Sequence, residues 1–309
     1  MAERTQPPTM EPSELRRRLG RTGVWLFSLS RTATADEARA AAAEIERLGY
    51  PALWVGEAPD GREAYTNSAL LLSSTERLHV ATGIANIYGR DAVAAANGAA
   101  TLAEAWGYRF VLGLGVSHKP LVAPRGHEYS APLRLMQDYL DGMDQASFGV
   151  LPLAERPPRV LAALRRRMLE LAAQRAQGAH TYFVPPEHTA KAREILGPDP
   201  VLAPEQAVVV ETDAGRAREI AREYAAFYLS LPNYINNLRE LGFSDDDFAG
   251  GGSDRLIDAI VVWGEPETIA ERVRAHHDAG ADHVCVQPLA DSVGTQTEHL
   301  RLLAPALLG

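Results

Sequence analysis

Cysteine is almost absent from this sequence, and long apolar runs are absent altogether. The one cysteine, Cys285, excludes an intrachain disulfide and lies in the apolar run HVCVQ, which is typical of a buried strand. No stretch approaches the roughly 20 apolar residues of a membrane span, and the N-terminus lacks the apolar core of a signal peptide. These absences predict a cytoplasmic protein without a membrane partner.

Lysine is the second shortage. Lys119 and Lys191 are the two lysines, so nearly all positive charge is carried by arginine, whose guanidinium suits fixed, bidentate contacts. The net charge of −9 and the pI near 5.5 argue against a general nucleic-acid surface. A hydrophobic fraction of 46% with 23% charged residues is that of a soluble globular protein with a sizeable core.

Two motif classes are also missing. The first predicted strand, GVWLFS, has only Gly23, at the wrong end for a dinucleotide-binding glycine fingerprint. No HExxH-like or Cys/His spacing indicates a metal site. We therefore predict no metal, and we disfavour the main alternative fold, an open doubly wound sheet.

What is present is a repeated strand–helix pattern without a change in composition. It predicts an α/β protein with one closed (β/α)8 barrel at 21–309, a loose N-terminal extension at 1–20, and an insertion at 231–258 before the last strand. The predicted strands lie near 23–28, 52–57, 78–84, 109–114, 159–163, 179–183, 206–211 and 282–287.

The stretch from 77 to 118 combines two such strands with the helix between them. Asn86, Tyr88 and Arg90 follow the first strand, and Ser117 and His118 follow the second. Because ligands of parallel α/β folds bind at the carboxyl ends of strands, we expect the site there. A histidine at such a position, with its reference pKa near neutrality, is a candidate general acid or substrate contact; a hydrogen-bonded loop histidine is the alternative.

Several segments in this order resemble the luciferase-like monooxygenase superfamily, in its branch that uses the deazaflavin coenzyme F420. They are ATGIANIYGRD, RFVLGLGVSH, GAHTYFVPPEHT, LAPEQAVVVETD, LPNYINNLRELGF and AGADHVCVQ. The resemblance implies a (β/α)8 barrel, often a homodimer, that moves a hydride between F420 and a small organic substrate. The substrate and the direction of transfer stay open.

The resemblance also implies roles for individual residues. TGIAN matches a bulge with a non-prolyl cis peptide, here Gly83-Ile84, so Ile84 would press on the ring and Asn86 would reach its pyrimidine edge. Glu57 stands where relatives carry an acidic residue followed by His, whereas here Ala58 follows. Glu57 is either a residue that shuttles a proton or a solvated loop residue. The expected catalytic residues are His118 and Glu57.

The remaining expected contacts divide between cofactor and substrate. Arg165, Arg166 and Arg167 open the helix after the fifth strand, where three cations are disfavoured by the helix dipole unless an anion binds, so we expect them to hold the cofactor phosphate. Surface arginines are the alternative. The other expected cofactor residues are Trp25, Gly83, Val116 and Ser117, and the expected substrate residues are Tyr182 and Lys119.

Three functions fit these expectations. The first is an F420-dependent oxidoreductase. The second is a flavin mononucleotide (FMN)-dependent monooxygenase of the same superfamily. The third is a non-catalytic relative that binds a flavin or metabolite, which the missing His after Glu57 and the missing glycine before Met168 suggest.

Overall fold

Eight parallel strands close into a barrel in the computed structural model, which describes residues 7–149 and 153–309. The strands are short and almost entirely buried, as expected where helices cover a parallel barrel. The first strand pairs with the second and the last, and the seventh also pairs with the last, which closes the ring. The barrel strands are β1 (Thr22–Trp25), β2 (Ala52–Val55), β3 (His79–Thr82), β5 (Phe110–Gly115), β6 (Arg159–Ala162), β7 (Gly178–Thr181), β8 (Val201–Val209) and β10 (Val284–Pro288).

The eight predicted strands all overlap these eight, and every pairing among the described strands is parallel, so the predicted barrel is confirmed. The seventh strand begins at Val201, earlier than the predicted 206. The prediction missed its first residues because Pro204 lies inside the strand, and proline, which cannot donate to a strand ladder, argues against a strand in a sequence. Two short strands were not predicted: β4 (Ala85–Asn86), which pairs with β5, and β9 (Val262–Trp263), which pairs with β8.

Helices cover the outside of the barrel, and their first residues explain where several begin. Thr34 and Glu37 exchange hydrogen bonds at the start of α3, and Asp213 accepts the Arg216 N–H (2.9 Å) at the start of α10. In the described ranges, none of the helices is both long and apolar enough to cross a membrane. The helices are α1 (Pro12–Leu19), α2 (Ser28–Arg31), α3 (Ala35–Arg47), α4 (Ala64–Leu72), α5 (Ala92–Ala105), α6 (Lys119–Val122), α7 (Pro132–Gln145), α8 (Arg166–Arg175), α9 (Pro186–Leu196), α10 (Ala214–Tyr228), α11 (Pro232–Glu240), α12 (Asp245–Phe248), α13 (Asp254–Ile260), α14 (Pro266–Asp278) and α15 (Val293–Leu308), with 3-10 turns at Ala123–Arg125 and Ala249–Gly251.

Helix α1 corrects the expectation of a loose extension at 1–20. Its Leu15 and Leu19 are fully buried and share one apolar cluster with Trp54 inside the barrel. Burying these two leucines offsets the entropy cost of ordering the segment. Residues 1–6 of that predicted extension lie outside the described residues.

The predicted insertion at 231–258 is helical and lies between α10 and the last strand. Its α11 and α13 bury Tyr234, Leu238, Leu256 and Ile257 in a cluster shared with Phe183 at the end of β7. This packing brings Tyr234 over the carboxyl ends of the barrel strands, where the candidate site lies.

Candidate active site

A cavity of about 1150 Å³ opens at the carboxyl ends of the barrel strands. Its floor is formed by residues that follow β1, β3, β5, β6 and β7, and its outer wall by α10 and α11. This is the end of a (β/α)8 barrel at which active sites lie, and the cavity is large enough for a cofactor together with a small substrate.

One side of the floor is apolar and shaped by the end of β3. The Gly83-Ile84 peptide bond is cis, as the resemblance predicts. The Trp25 indole N–H donates to the Gly83 carbonyl (3.2 Å). Trp25, Gly83 and Ile84 all line the cavity, so this wall can receive the face of a flat ring.

The end of β5 contributes the three predicted residues Val116, Ser117 and His118, all of which line the cavity. Ser117 has a left-handed backbone (φ 55°), an uncommon conformation for a residue with a side chain. The His118 ring lies 5.4 Å from the Tyr234 ring, and burial lowers the pKa of His118 to about 4. His118 is therefore neutral at pH 7 and can exchange hydrogen bonds with a ligand, but it is not a ready general acid.

Glu57 lies at the cavity edge, where the structure gives both of its carboxylate oxygens partners. Arg90 forms a bidentate ion pair with it, and one oxygen accepts the Asn86 N–H at 2.6 Å. Arg90 also pairs with Glu63 at 2.7 Å. Because the carboxylate is engaged in this way, the geometry favours an anchoring role for Glu57 over proton transfer.

Two predicted contacts do not line the cavity. Asn86 is buried, and its side-chain oxygen accepts the Tyr88 N–H (3.0 Å), which shapes the turn after β4 rather than a ligand site. Lys119 is exposed at the start of α6, next to His118, and is not among the residues that line the cavity. The sequence placed both in the right segment, but the direction of a side chain at a turn depends on local backbone geometry.

The three arginines at the start of α8 form a basic edge of the cavity. Arg165 is the N-terminal cap residue, and no side chain caps the helix, so its first N–H groups point to the cavity end of the barrel. Arg165 forms an ion pair with Glu240 of α11 (2.6 Å), and Arg166 lies 3.5 Å from Glu170. Arg167 has no acidic partner among the residues that the structure describes.

A cluster of tyrosines lines the opposite wall, and only Tyr182 of this cluster was predicted. Tyr182 donates to the Gln287 side-chain oxygen (2.8 Å) and lies 2.9 Å from the Tyr228 hydroxyl. Tyr224 and Tyr234 complete the wall. A usable sequence signal existed, because Tyr224 and Tyr228 stand at i and i+4 on one face of the helix that follows the seventh barrel strand, at its C-terminal end.

Residues 19–283 match the luciferase-like monooxygenase family. The chain belongs to this family. It is 22% identical over 307 residues to a 5,10-methylenetetrahydromethanopterin reductase of Methanolobus tindarius, covering 85% of this chain and 93% of that protein. An F420-dependent secondary alcohol dehydrogenase in complex with an F420-acetone adduct has the same fold, with a TM-score of 0.76 at 14% identity over 94% of this chain and 99% of that one.

A further solved structure with the same fold holds a different cofactor. The oxygenating constituent of 3,6-diketocamphane monooxygenase of Pseudomonas putida, in complex with FMN, has a TM-score of 0.71 at 13% identity, covering 94% of this chain and 99% of that one. The fold of this chain is therefore shared by a protein solved with an F420-acetone adduct and by one solved with FMN.

The cavity of this luciferase-like chain fits a cofactor made of a ring and a phosphate. The Nδ1–H of His180 donates to the Ala203 carbonyl (2.7 Å), and its buried Nε2 has no hydrogen-bond partner among the described residues, so an acceptor is available at the floor. Ile84 and Trp25 supply the apolar wall beside it. The uncapped start of α8 and Arg167 present N–H donors and a positive charge to which an anion can bind.

Proposed function

We propose that this luciferase-like protein is an oxidoreductase that transfers a hydride between coenzyme F420 and a small organic substrate. The observation that carries the proposal is one cavity with an apolar floor at Ile84 and a basic edge at the uncapped start of α8. The similarity to a reductase and to an F420-dependent alcohol dehydrogenase favours F420. We also expect a homodimer, which light scattering of the purified protein checks.

An FMN-dependent monooxygenase is the second candidate. It is favoured by the fold shared with an FMN complex, since FMN also joins a tricyclic ring to a phosphate. The same floor and basic edge would serve either cofactor. The two candidates therefore differ in affinity and in reaction with oxygen rather than in the position of the site.

When bound, the deazaflavin would supply or accept a hydride at a ring carbon. Ile84 and Trp25 would orient the ring, and the α8 N–H groups with Arg167 would hold the phosphate. Neutral His118 would donate or accept one hydrogen bond to the substrate or ring, and the tyrosine wall would exclude water from the reacting atoms.

Spectroscopic titration of the purified protein with F420 and with FMN tests this proposal. We expect tight binding of F420 and weak binding of FMN. Tight binding of FMN together with oxygen consumption by the reduced complex would support the monooxygenase instead. Binding of neither cofactor would indicate the non-catalytic relative.

Arg167→Ala should weaken F420 binding roughly 10-fold, because a charge-assisted hydrogen bond to phosphate contributes about 1.5 to 3 kcal/mol and solvent screens part of it. Arg165→Ala should cost less, since Arg165 already pairs with Glu240. Dissociation constants from fluorescence titration at low and high salt measure both effects.

Glu240→Gln is the matched variant for this edge of the cavity. It removes a carboxylate from the lining and releases Arg165, so F420 affinity should rise roughly 3- to 10-fold. The phosphate-free fragment, the ring with its ribityl chain, is the control ligand. If all three variants change the affinity for this fragment as much as for F420, the phosphate assignment is wrong.

His118→Ala should lower turnover roughly 10²-fold and leave F420 affinity nearly unchanged, because the ring touches the reacting region rather than the phosphate. Because burial lowers the pKa of His118 to about 4, its own titration should not change the turnover between about pH 5 and 7. Steady-state kinetics across this range check both expectations. Unchanged turnover in the variant would reassign His118 to a structural role.

A further inference from the structure

In the part of the chain that the structure describes, one carboxyl group, that of Glu205, is buried inside the barrel behind the tyrosine wall. Glu205 lies on β8 and is 1% exposed. Its Oε2 accepts the Phe183 N–H (3.2 Å), and its Oε1 lies 3.5 Å from the Tyr224 hydroxyl. Among the described residues, no arginine, lysine or histidine forms an ion pair with it.

The titratable groups that face Glu205 are all uncharged at neutral pH. Cys285 is its register partner on β10, Tyr182 follows β7, and Tyr228 and Tyr234 come from α10 and α11. Burial raises the pKa of each of these groups, and with no cation nearby it also raises the pKa of Glu205, to about 8. Glu205 is therefore a neutral carboxylic acid at pH 7.

The hydrogen bonds decide where the proton of this acid lies. Because the Phe183 N–H occupies Oε2, the proton belongs on Oε1, which faces the Tyr224 oxygen. The Tyr182 hydroxyl donates its proton to the Gln287 side-chain oxygen. In the hydrogen bond between Tyr182 and Tyr228, Tyr228 is therefore the donor. The Tyr224 hydroxyl is also hydrogen-bonded to the Tyr182 and Tyr228 hydroxyls. When Glu205 donates to Tyr224, the hydroxyl proton of Tyr224 is left for one of these hydroxyls or for an acceptor in the cavity that Tyr224 lines.

We propose that Tyr224 and Glu205 form a proton-donating pair for an uncharged carbonyl substrate. The inference rests on the proposed function. The substrate carbon gains the hydride and its two electrons from reduced F420, and the substrate oxygen gains the Tyr224 proton. Tyr224 recovers a proton from Glu205, which becomes a carboxylate and is reprotonated from solvent. In the reverse direction, an alcohol returns its proton along the same path.

Infrared difference spectroscopy of the protein without cofactor tests the pair directly. The wild type should show the carbonyl band of a protonated carboxylic acid at pH 7 that disappears with a midpoint near pH 8, and Glu205→Gln should lack it. Tyr224→Phe should keep the band at a shifted frequency, because one hydrogen bond is lost. Tyr50→Phe is the matched control: it also removes a buried hydroxyl, which donates to the Leu300 carbonyl (3.0 Å) outside the cavity.

Single-turnover oxidation of reduced F420 by cyclohexanone, an uncharged ketone whose oxygen must take up the proton, supplies the second readout. Glu205→Gln and Tyr224→Phe should each slow the wild-type rate roughly 10²-fold, and Tyr50→Phe should not. A missing acid band, a band unmoved by Tyr224→Phe, or equal rates in wild type and both variants would overturn the pair. The acid band could behave as expected while the wild-type protein fails to oxidise reduced F420. This outcome would support the pair and count against the proposed function.

Discussion

Glu205→Gln should abolish a loss of stability that the wild-type protein undergoes as the pH rises from about 4.5 to about 8. The unfolded chain ionises Glu205 near its ordinary pKa of 4.5, whereas the folded protein keeps it neutral up to about 8. The contribution of Glu205 to stability is therefore greatest below pH 4.5 and falls through this window. At about 1.4 kcal/mol per pH unit, the difference between variant and wild type should grow by roughly 3 to 5 kcal/mol.

Denaturant unfolding of both proteins at intervals from pH 4.5 to 9 measures this difference. Comparing the two proteins cancels the titration of other carboxylates, which is the same in both. Tyr224→Phe is the control, because it keeps the buried carboxyl group and should keep most of the pH dependence. A stability difference that stays flat over the window would show that Glu205 is ionised in the folded protein.

Gly115→Ala should weaken cofactor binding roughly 10- to 100-fold while the barrel stays folded. A Cβ at position 115 would lie 2.5 Å from Cγ1 and 2.6 Å from Cδ1 of Ile84, so the Ile84 side chain must move. Ile84 is half-buried and lines the cavity, where the proposed ring lies. Overpacking of this kind costs about 1 to 3 kcal/mol, which here would be expressed as lost affinity.

The double variant Gly115→Ala/Ile84→Ala supplies the rescue. It removes the displaced side chain and should recover most of the affinity, while Ile84→Ala alone measures the loss of the apolar contact. Fluorescence titration with F420 and circular dichroism of all three proteins separate binding from folding. If the double variant binds as weakly as Gly115→Ala, the ring does not lie against Ile84.

Local patterns were sufficient for the barrel and for the position of the site. Each barrel strand is a short apolar run followed by polar residues, and the order of strands and helices leaves few topologies. The resemblance added the cis bond at Gly83-Ile84, which the structure contains. His118, Ser117 and Val116 line the cavity because they directly follow β5, so counting along the strand was enough to place them.

The partners of charged groups could not be predicted, because they are set by contacts between distant segments. Glu57 pairs with Arg90, 33 positions away on a different loop, and Arg165 pairs with Glu240, 75 positions away in the insertion. Neither pair lies within one helix or strand, so the periodicity of these elements could not reveal the pairing.

By itself, the sequence determined the parallel barrel, the end of it that holds the cavity and the segments that line it, because periodicity and strand order are local properties of the chain. Only the tertiary structure decided which groups surround each acid. Closure of the barrel places Arg90 against Glu57 and surrounds Glu205 with tyrosines, with no cation paired to it among the described residues, because these contacts join segments that are distant in the sequence.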